Sequence, residues 1–511
     1  MTQAVVSPRV DDAAHDPLRV PATSEFKRKS ARGGAAAILA QVAAMALQLG
    51  TTFILARLLS PTDYGLQAMV LTLTAFFSLF RDAGLSLAVV QRENLTHEQI
   101  STLFWINVGL GTFLMVVVAA AGPFLVAFYK EPRLLWLTIA SASTFFFSSL
   151  CVQHRALLDR AMRFTTSAKI DVLTCVIGSV VAISMAALGC GYWSLICQNI
   201  SIPVASMIAL WIAMPWAPGR PRWAPELRPL IRFGGTITLN SVIVYLAYNT
   251  EKILLGRSWG AAPLGIYTRA YQLATLPVQQ LIAAAFGIAF SVLSRMQGDP
   301  VRLRRSYLKS QSVIVSMTIP VVIGSAFFAK EIVLVVLGAK WLQVTTVLRL
   351  LAPTVLVFAL VNPFSWLLQS TGRAGRSLWI AILIAPVVVL GILFGLHGGP
   401  NGVAMGYSAA MLVLLVPIVV WAKHGTGIST GDYVRSVVRP IVAGLMGGAA
   451  GWVAQFLLRG TIKPVPLLTL ELALFCLVYG GILAFVMKQK DFYLDLARQM
   501  LRQREESEVV A

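Results

Sequence analysis

Six cations occupy positions where a chain this apolar has no general use for positive charge. Lys252, Arg257, Arg269 and Arg349 fall in its second half, and Arg57 and Arg81 in its first. A cation inside a bilayer-spanning helix costs at least about 2.5–3.5 kcal/mol at mid-bilayer, so it faces a wet cavity, a partner or, near a helix end, the headgroups. Several converging on one cleft would suit a multiply charged anion such as a diphosphate, for which arginine offers a bidentate fork. Arg269 and Arg349 read as cavity residues. Arg57 and Arg257, equivalent at an offset of 200 residues, read equally as anchors in the headgroups. Arg81 and Asp82 close an apolar stretch, where Arg81 meets either an arriving phosphate or the membrane surface. Glu251 adjoins Lys252, but neighbours on a helix do not face each other. It therefore needs another partner, a coupling ion or a proton. Asn240 and Asn249 on the same stretch are ion-coupling candidates too, with interhelical hydrogen bonding as the alternative.

Other chemistries lack their residues. No lysine follows a glycine, so there is no phosphate-binding loop for ATP. No nucleophile, base and acid recur together, and the five histidines form no ligand spacing. The five cysteines lie in or beside apolar runs without a C-x-x-C pair, which suits packing rather than a metal or disulfide framework. No catalytic residue, metal site or cofactor is expected.

The elements that must position the cations are membrane helices. Hydrophobic residues make up 57% of the 511 and charged residues 13%, about half the charge of a soluble protein. About fourteen apolar stretches of some 20 residues follow one another, each long enough at 1.5 Å per residue to cross about 30 Å of hydrocarbon. The fold class is all-α, a polytopic membrane protein. A polar tail, 1–32, precedes spans at 33–56, 65–81, 102–128, 134–154, 169–190 and 192–214. A linker at 215–232, rich in proline, arginine and tryptophan, leads to spans at 233–255, 264–294, 310–329, 343–370, 374–397 and 400–422. Accessory spans at 437–458 and 466–488 lie within 423–488, and the tail 489–511 ends the chain. The first tail reads as disordered, with no cleaved signal peptide.

The net charge of +20 invites a nucleic-acid reading, but 31 of the 42 Lys and Arg residues lie in the tails and in alternate short loops. That asymmetry reads as topology, with both termini in the cytoplasm. The halves also align. At an offset of 200, Leu55, Arg57, Gly65 and Leu73 match Leu255, Arg257, Gly265 and Leu273. Six spans separate the copies, so both run in one direction, as in a parallel repeat about an axis along the membrane normal. Two such six-helix lobes can rock about a central cleft. Prolines 277, 320, 353, 363, 386 and 417 fall inside the later spans and can bend them.

The stretch Arg57-Leu-Leu-Ser-Pro-Thr-Asp-Tyr-Gly65 resembles the loop after the first helix of polysaccharide-transport (Wzx-type) flippases. Asp82-Ala-Gly-Leu85, Gln91-Arg-Glu-Asn-Leu95, Asn249-Thr-Glu-Lys-Ile-Leu-Leu-Gly-Arg257, Leu264-Gly-Ile-Tyr-Thr-Arg-Ala-Tyr-Gln-Leu273 and Ser294-Arg-Met-Gln297 are similar to that family too. The nearest subgroup is the colanic-acid/xanthan-type exporters of the multidrug/oligosaccharidyl-lipid/polysaccharide superfamily. Glu251 stands where that family is expected to carry Asp. The resemblance implies a flippase in the bacterial inner membrane that moves undecaprenyl-diphosphate-linked oligosaccharide repeat units for exopolysaccharide or lipopolysaccharide synthesis. It also implies a cationic cavity and coupling to a H+ or Na+ gradient. The expected partners are that cargo, membrane lipids and polymerase or export machinery. A multidrug or amphiphile antiporter of the same superfamily remains open, and so does a membrane polysaccharide polymerase or ligase. The antiporter would want more acidic groups in its cleft, and the enzyme larger outer loops than this chain carries.

Overall fold

A computed structural model describes residues 23–81, 96–221, 245, 249–296, 299–372, 374–458 and 463–487, and among them there is helix and no strand. Helix α1 (Thr23–Leu58) contains no proline. It starts ten residues before the expected span, so 23–32 of the tail are helical. The run Lys27-Arg28-Lys29-Ser30-Ala31-Arg32 is made largely of strong helix formers, and nothing in it stops the helix. Helix α2 (Pro61–Arg81) has a sharper start. Ser60 Oγ accepts from the Asp63 amide at 3.3 Å, and Asp63 Oδ2 accepts from the Ser60 amide at 2.8 Å. Proline at the first helical position completes this capping box, which gives the Ser-Pro-Thr-Asp string a local structural purpose.

The expected span 102–128 is two helices, α3 (His97–Ala120) and α4 (Gly122–Tyr129), separated at Ala121. Pro123 has no amide to continue the ladder there. Then come α5 (Leu134–Arg160), α6 (Phe164–Ala187) and α7 (Trp193–Ala213). Residues 249–259 form α8, followed by α9 (Ala261–Arg295) and α10 (Pro300–Phe327). A short α11 (Ala329–Val336) precedes α12 (Val344–Ser370), α13 (Ala374–Gly395) and α14 (Gly399–Lys423). Helices α15 (Thr430–Leu458) and α16 (Pro464–Gly481) close the described chain, with a π-turn at Ile482–Val486. The six prolines noted in the later spans all sit inside helices.

Eleven segments among the described residues are long and apolar enough to cross a membrane. One of these, Ile382–Lys423, contains both α13 and α14. The set omits α9 and everything between 221 and 249, and it is compatible with about fourteen crossings. Large apolar side chains such as Phe124 (67% exposed) and Phe394 (82%) point outward, as expected where lipid is the solvent.

The chain divides into two compact units. One comprises the chain up to Leu58 and from Val70 to 242; the other comprises Leu59–Met69 and everything from Ile243 to 510. In the first, α1 packs on α6, α3 on α5, and α7 on both α5 and α6. Leu103, Phe104, Leu157, Leu210 and Trp216 form one of its cores. In the second, α12 packs against α9 and α14, and the accessory α15 packs on α10 and α16.

Glycine sets the closest helix contacts of the second unit. A Cβ on Gly391 would lie 2.5 Å from the Gly406 carbonyl oxygen, and one on Gly395 2.1 Å from that of Gly402. Two G-x-x-x-G stripes thus let α13 and α14 touch backbone to backbone. The start of α2 meets the start of α9 in the same way. A Cβ on Gly65 would fall 1.7 Å from the Ala261 carbonyl oxygen, and one on Gly265 1.9 Å from that of Pro61. Position 65 touches 261 and position 265 touches 61. The two motifs, 200 residues apart in the sequence, thus meet reciprocally.

A cavity in the first unit

Three helices of the first unit each turn one polar stripe towards the same space. On α2 the stripe is Thr74, Ser78 and Arg81; on α5 it runs from Ser141 through Ser148 and Arg155 to Asp159; on α7 it contains Asn199 and Ser206. Spacings of three and four residues put each set on one helix face. Together they line a cavity of about 940 Å³.

Three hydroxyls of this wall are tied to their own helices. Thr74 Oγ1 donates to the Val70 carbonyl at 3.2 Å, Ser78 Oγ to Thr74 at 2.8 Å, and Thr144 Oγ1 to Ser141 at 2.7 Å. Each hydroxyl oxygen keeps lone pairs for a donor from the cavity. Two lining groups have the opposite need. Among the described residues, Arg81 Nε and Asn199 Nδ2 are buried donors without an acceptor. A buried polar group left unpaired costs about 1–3 kcal/mol, so both favour a ligand rich in acceptors. Arg155 is already engaged, giving Nη1 and Nη2 to Asp171 Oδ1 and Oδ2 at 2.7 and 2.8 Å.

Of the cations picked out in the sequence, Arg81 is the one that lines this cavity. Arg57 is exposed, its guanidinium 4.0 Å from the centre of the Phe53 ring. Arg257 is exposed near the end of α8. Lys252 donates to Asn249 Oδ1 at 2.7 Å and lies 5.4 Å from the centre of the Tyr271 ring. Asn249 in turn donates to the Tyr245 carbonyl at 3.0 Å. Glu251 is fully buried, with no hydrogen-bond partner at either carboxylate oxygen among the described residues. Asn240 lies outside the described residues.

Arg269 sits 3.9 Å over the ring of Tyr64, which itself packs edge-on against Trp341 at 5.4 Å. This cluster holds the start of α2 in the second unit. Arg349 is exposed, and its Nε donates to the Ala326 carbonyl at 3.2 Å. The cavity residues that sequence reasoning missed are Arg155, Asp159 and Asn199. The expected span ends at residue 154, which leaves Arg155 among the loop charges, whereas α5 continues to Arg160. The usable signal was the polar stripe itself, serine and threonine at helical spacing leading into Arg155 and Asp159.

The chain is 25% identical over 449 residues to the lipopolysaccharide biosynthesis protein WzxC of Escherichia coli (strain K12), covering 86% of this chain and 90% of that one. It is 25% identical over 446 residues to the succinoglycan biosynthesis transport protein ExoT of Rhizobium meliloti (strain 1021), covering 85% and 88%. Among solved structures, the lipid II flippase MurJ in an inward closed conformation superposes with a TM-score of 0.70 at 14% identity, over 90% of this chain and all of that one. An inward-facing multidrug resistance MATE family transporter of the MOP superfamily superposes with a TM-score of 0.60 at 16% identity, over 76% and 98%. These two share the fold; ExoT is named a transport protein, MurJ a flippase and the MATE protein a transporter. The family model described as polysaccharide biosynthesis protein matches residues 54–346, more than half of the chain, and the protein belongs to that family.

Proposed function

We propose that the protein flips a lipid-linked oligosaccharide by alternating access, and that the first unit's cavity receives the diphosphate and first sugars of that cargo from the cytoplasmic side. The observation that carries this reading is the pair of unmet buried donors, Arg81 Nε and Asn199 Nδ2, in a wall otherwise rich in hydroxyls. Phosphate oxygens satisfy the donors, and sugar hydroxyls donate to the serine and threonine oxygens. Family membership supports a role in polysaccharide synthesis, and the fold supports transport. Both termini face the cytoplasm of a bacterial inner membrane, where polymerase or export machinery takes up the product. Glu251, buried without a partner, is the site where a H+ or Na+ gradient couples. A multidrug antiporter is less well supported, since the cavity's carboxylate Asp159 lies only 3.8 Å from Arg155 and is not free for a cationic drug.

The test is export in cells lacking the wild-type gene. Arg81→Gln should insert normally yet reduce export, because losing a charged hydrogen bond of about 1.5–3 kcal/mol lowers affinity by about one to two decades. Arg81→Lys should recover part of it, as a point charge cannot make the bidentate contact. Unchanged export from Arg81→Gln would overturn the assignment of this cavity to the diphosphate.

A further inference from the structure

The two arginines in the cavity wall differ in what holds them. Arg81 has no hydrogen-bond or ion-pair partner among the described residues. Arg155 is held by two carboxylates. Its terminal nitrogens make a two-pronged contact with Asp171 on α6, and its Nε lies 3.8 Å from Asp159 Oδ1 one turn along α5. Asp159 is further steadied by the Ser167 hydroxyl at 3.4 Å.

The Arg155–Asp171 pair has no evident structural task. Both residues lie inside their helices rather than at the caps. The two side chains are 36% and 52% exposed, so the pair is not packed away from a ligand that reaches Arg155. What the pair does fix is the direction of Arg155. A carboxylate on a guanidinium fork also has the geometry of two non-bridging phosphate oxygens on that fork.

We propose that Asp171 is an internal stand-in for the second phosphate of the cargo. It keeps the Arg155 fork formed and aimed in the empty protein, and releases it to a diphosphate whose other phosphate already sits on Arg81. A monophosphate bound at Arg81 has no second group with which to displace Asp171, and a neutral lipid engages neither arginine. Asp171 therefore competes with the diphosphate alone. It weakens the hold on that cargo so that it can be released, while a monophosphate on Arg81 meets no competition. The inference rests on the reading of this cavity as the cargo site.

The experiment measures binding of farnesyl diphosphate, farnesyl monophosphate and farnesol to the full-length protein in nanodiscs, by intrinsic tryptophan fluorescence. Asp171→Asn should tighten diphosphate binding about two- to fivefold, the range of an exposed ion pair. It should leave monophosphate and farnesol binding unchanged, so that the ratio between diphosphate and monophosphate widens. Arg155→Gln should weaken diphosphate binding about tenfold, the loss of a charge-assisted contact, and in that background Asp171→Asn should have no further effect on affinity. Asp171→Ser, which also removes the carboxylate, should widen the ratio to the same degree and decides the matter if Asp171→Asn melts well below the wild type. Unchanged or weaker diphosphate binding in a stable Asp171→Asn protein would overturn the stand-in, as would an unchanged ratio in a stable Asp171→Ser protein. Loss of binding in Arg81→Gln would then leave the cargo reading intact. Wild-type binding in both Arg81→Gln and Arg155→Gln would overturn the two together.

Discussion

Arg81 and Arg269 carry the same charge and both bury an unpartnered Nε, yet their surroundings assign them different work. Arg81 looks into a cavity lined with hydroxyls. Arg269 looks onto an aromatic face, 3.9 Å from the centre of the Tyr64 ring, and Tyr64 is 2% exposed. A guanidinium over a desolvated ring contributes about 0.5–2 kcal/mol. Arg269→Gln should therefore lower thermal stability in membranes or detergent by about that amount, and Tyr64→Leu should remove most of the same increment. The double variant should then lose less than the sum of the two, the mark of a direct contact. Full additivity would show that the two side chains do not interact. Charge surplus over topology picks out Arg269 and Lys252 in the sequence, because a cation within an apolar run stands out, whereas Arg81 at a span end reads equally as a membrane-surface anchor. Arg155 did not stand out. It follows the apolar run directly, and only the continued helix to Arg160 places it on a cavity wall.

Helices were legible wherever apolar residues run on without interruption, and their ends were not. The segment 374–397 was read within two residues of the observed α13, since a glycine on each side bounds it. The segment 102–128 concealed a break, because Gly122-Pro123 is as apolar as its surroundings and alters only the backbone. The glycine contacts were hidden for a related reason. A missing Cβ says nothing of which helix will use the space. The Gly65 and Gly265 contacts lead to a prediction at this scale. Gly65→Ala would place a Cβ 1.7 Å from the Ala261 carbonyl oxygen, and Gly265→Ala would place one 1.9 Å from that of Pro61. Backbone on both sides cannot move as a flexible side chain would. Each variant should therefore destabilise the protein by about 1–3 kcal/mol, the usual range for overpacking. Gly109→Ala, on α3 with open space around it, should instead be neutral or stabilise by about 0.5–1 kcal/mol. Equal melting temperatures for Gly65→Ala and Gly109→Ala would show that α2 and α9 do not touch at these glycines.

For the whole molecule, the contacts of position 61 with 265 and of 65 with 261 join the two motifs that the sequence repeats at an offset of 200. Copies separated by an even number of crossings enter the membrane in the same direction. That leaves open which face is inside, so the charge distribution has to decide. The turn between α6 and α7, Leu188–Tyr192, has no lysine or arginine, and the turn between α13 and α14 holds only His397. The turn between α5 and α6 is flanked by Arg160 and Arg163, and the start of α10 carries Arg302, Arg304 and Arg305. Lysine and arginine are retained on the cytoplasmic side. Reporter fusions after Gly191 and Gly398 should accordingly show periplasmic activity, and fusions after Arg163 and Arg304 cytoplasmic activity. The four sites sample both halves, so a correct pattern in one half with inversion in the other would break the parallel repeat while keeping the helices. Inversion at all four would keep the repeat and reverse the direction of transport, putting Arg81 and Arg155 on the periplasmic side. Cargo made in the cytoplasm could not then load at that cavity, and the proposed function would fail with the orientation.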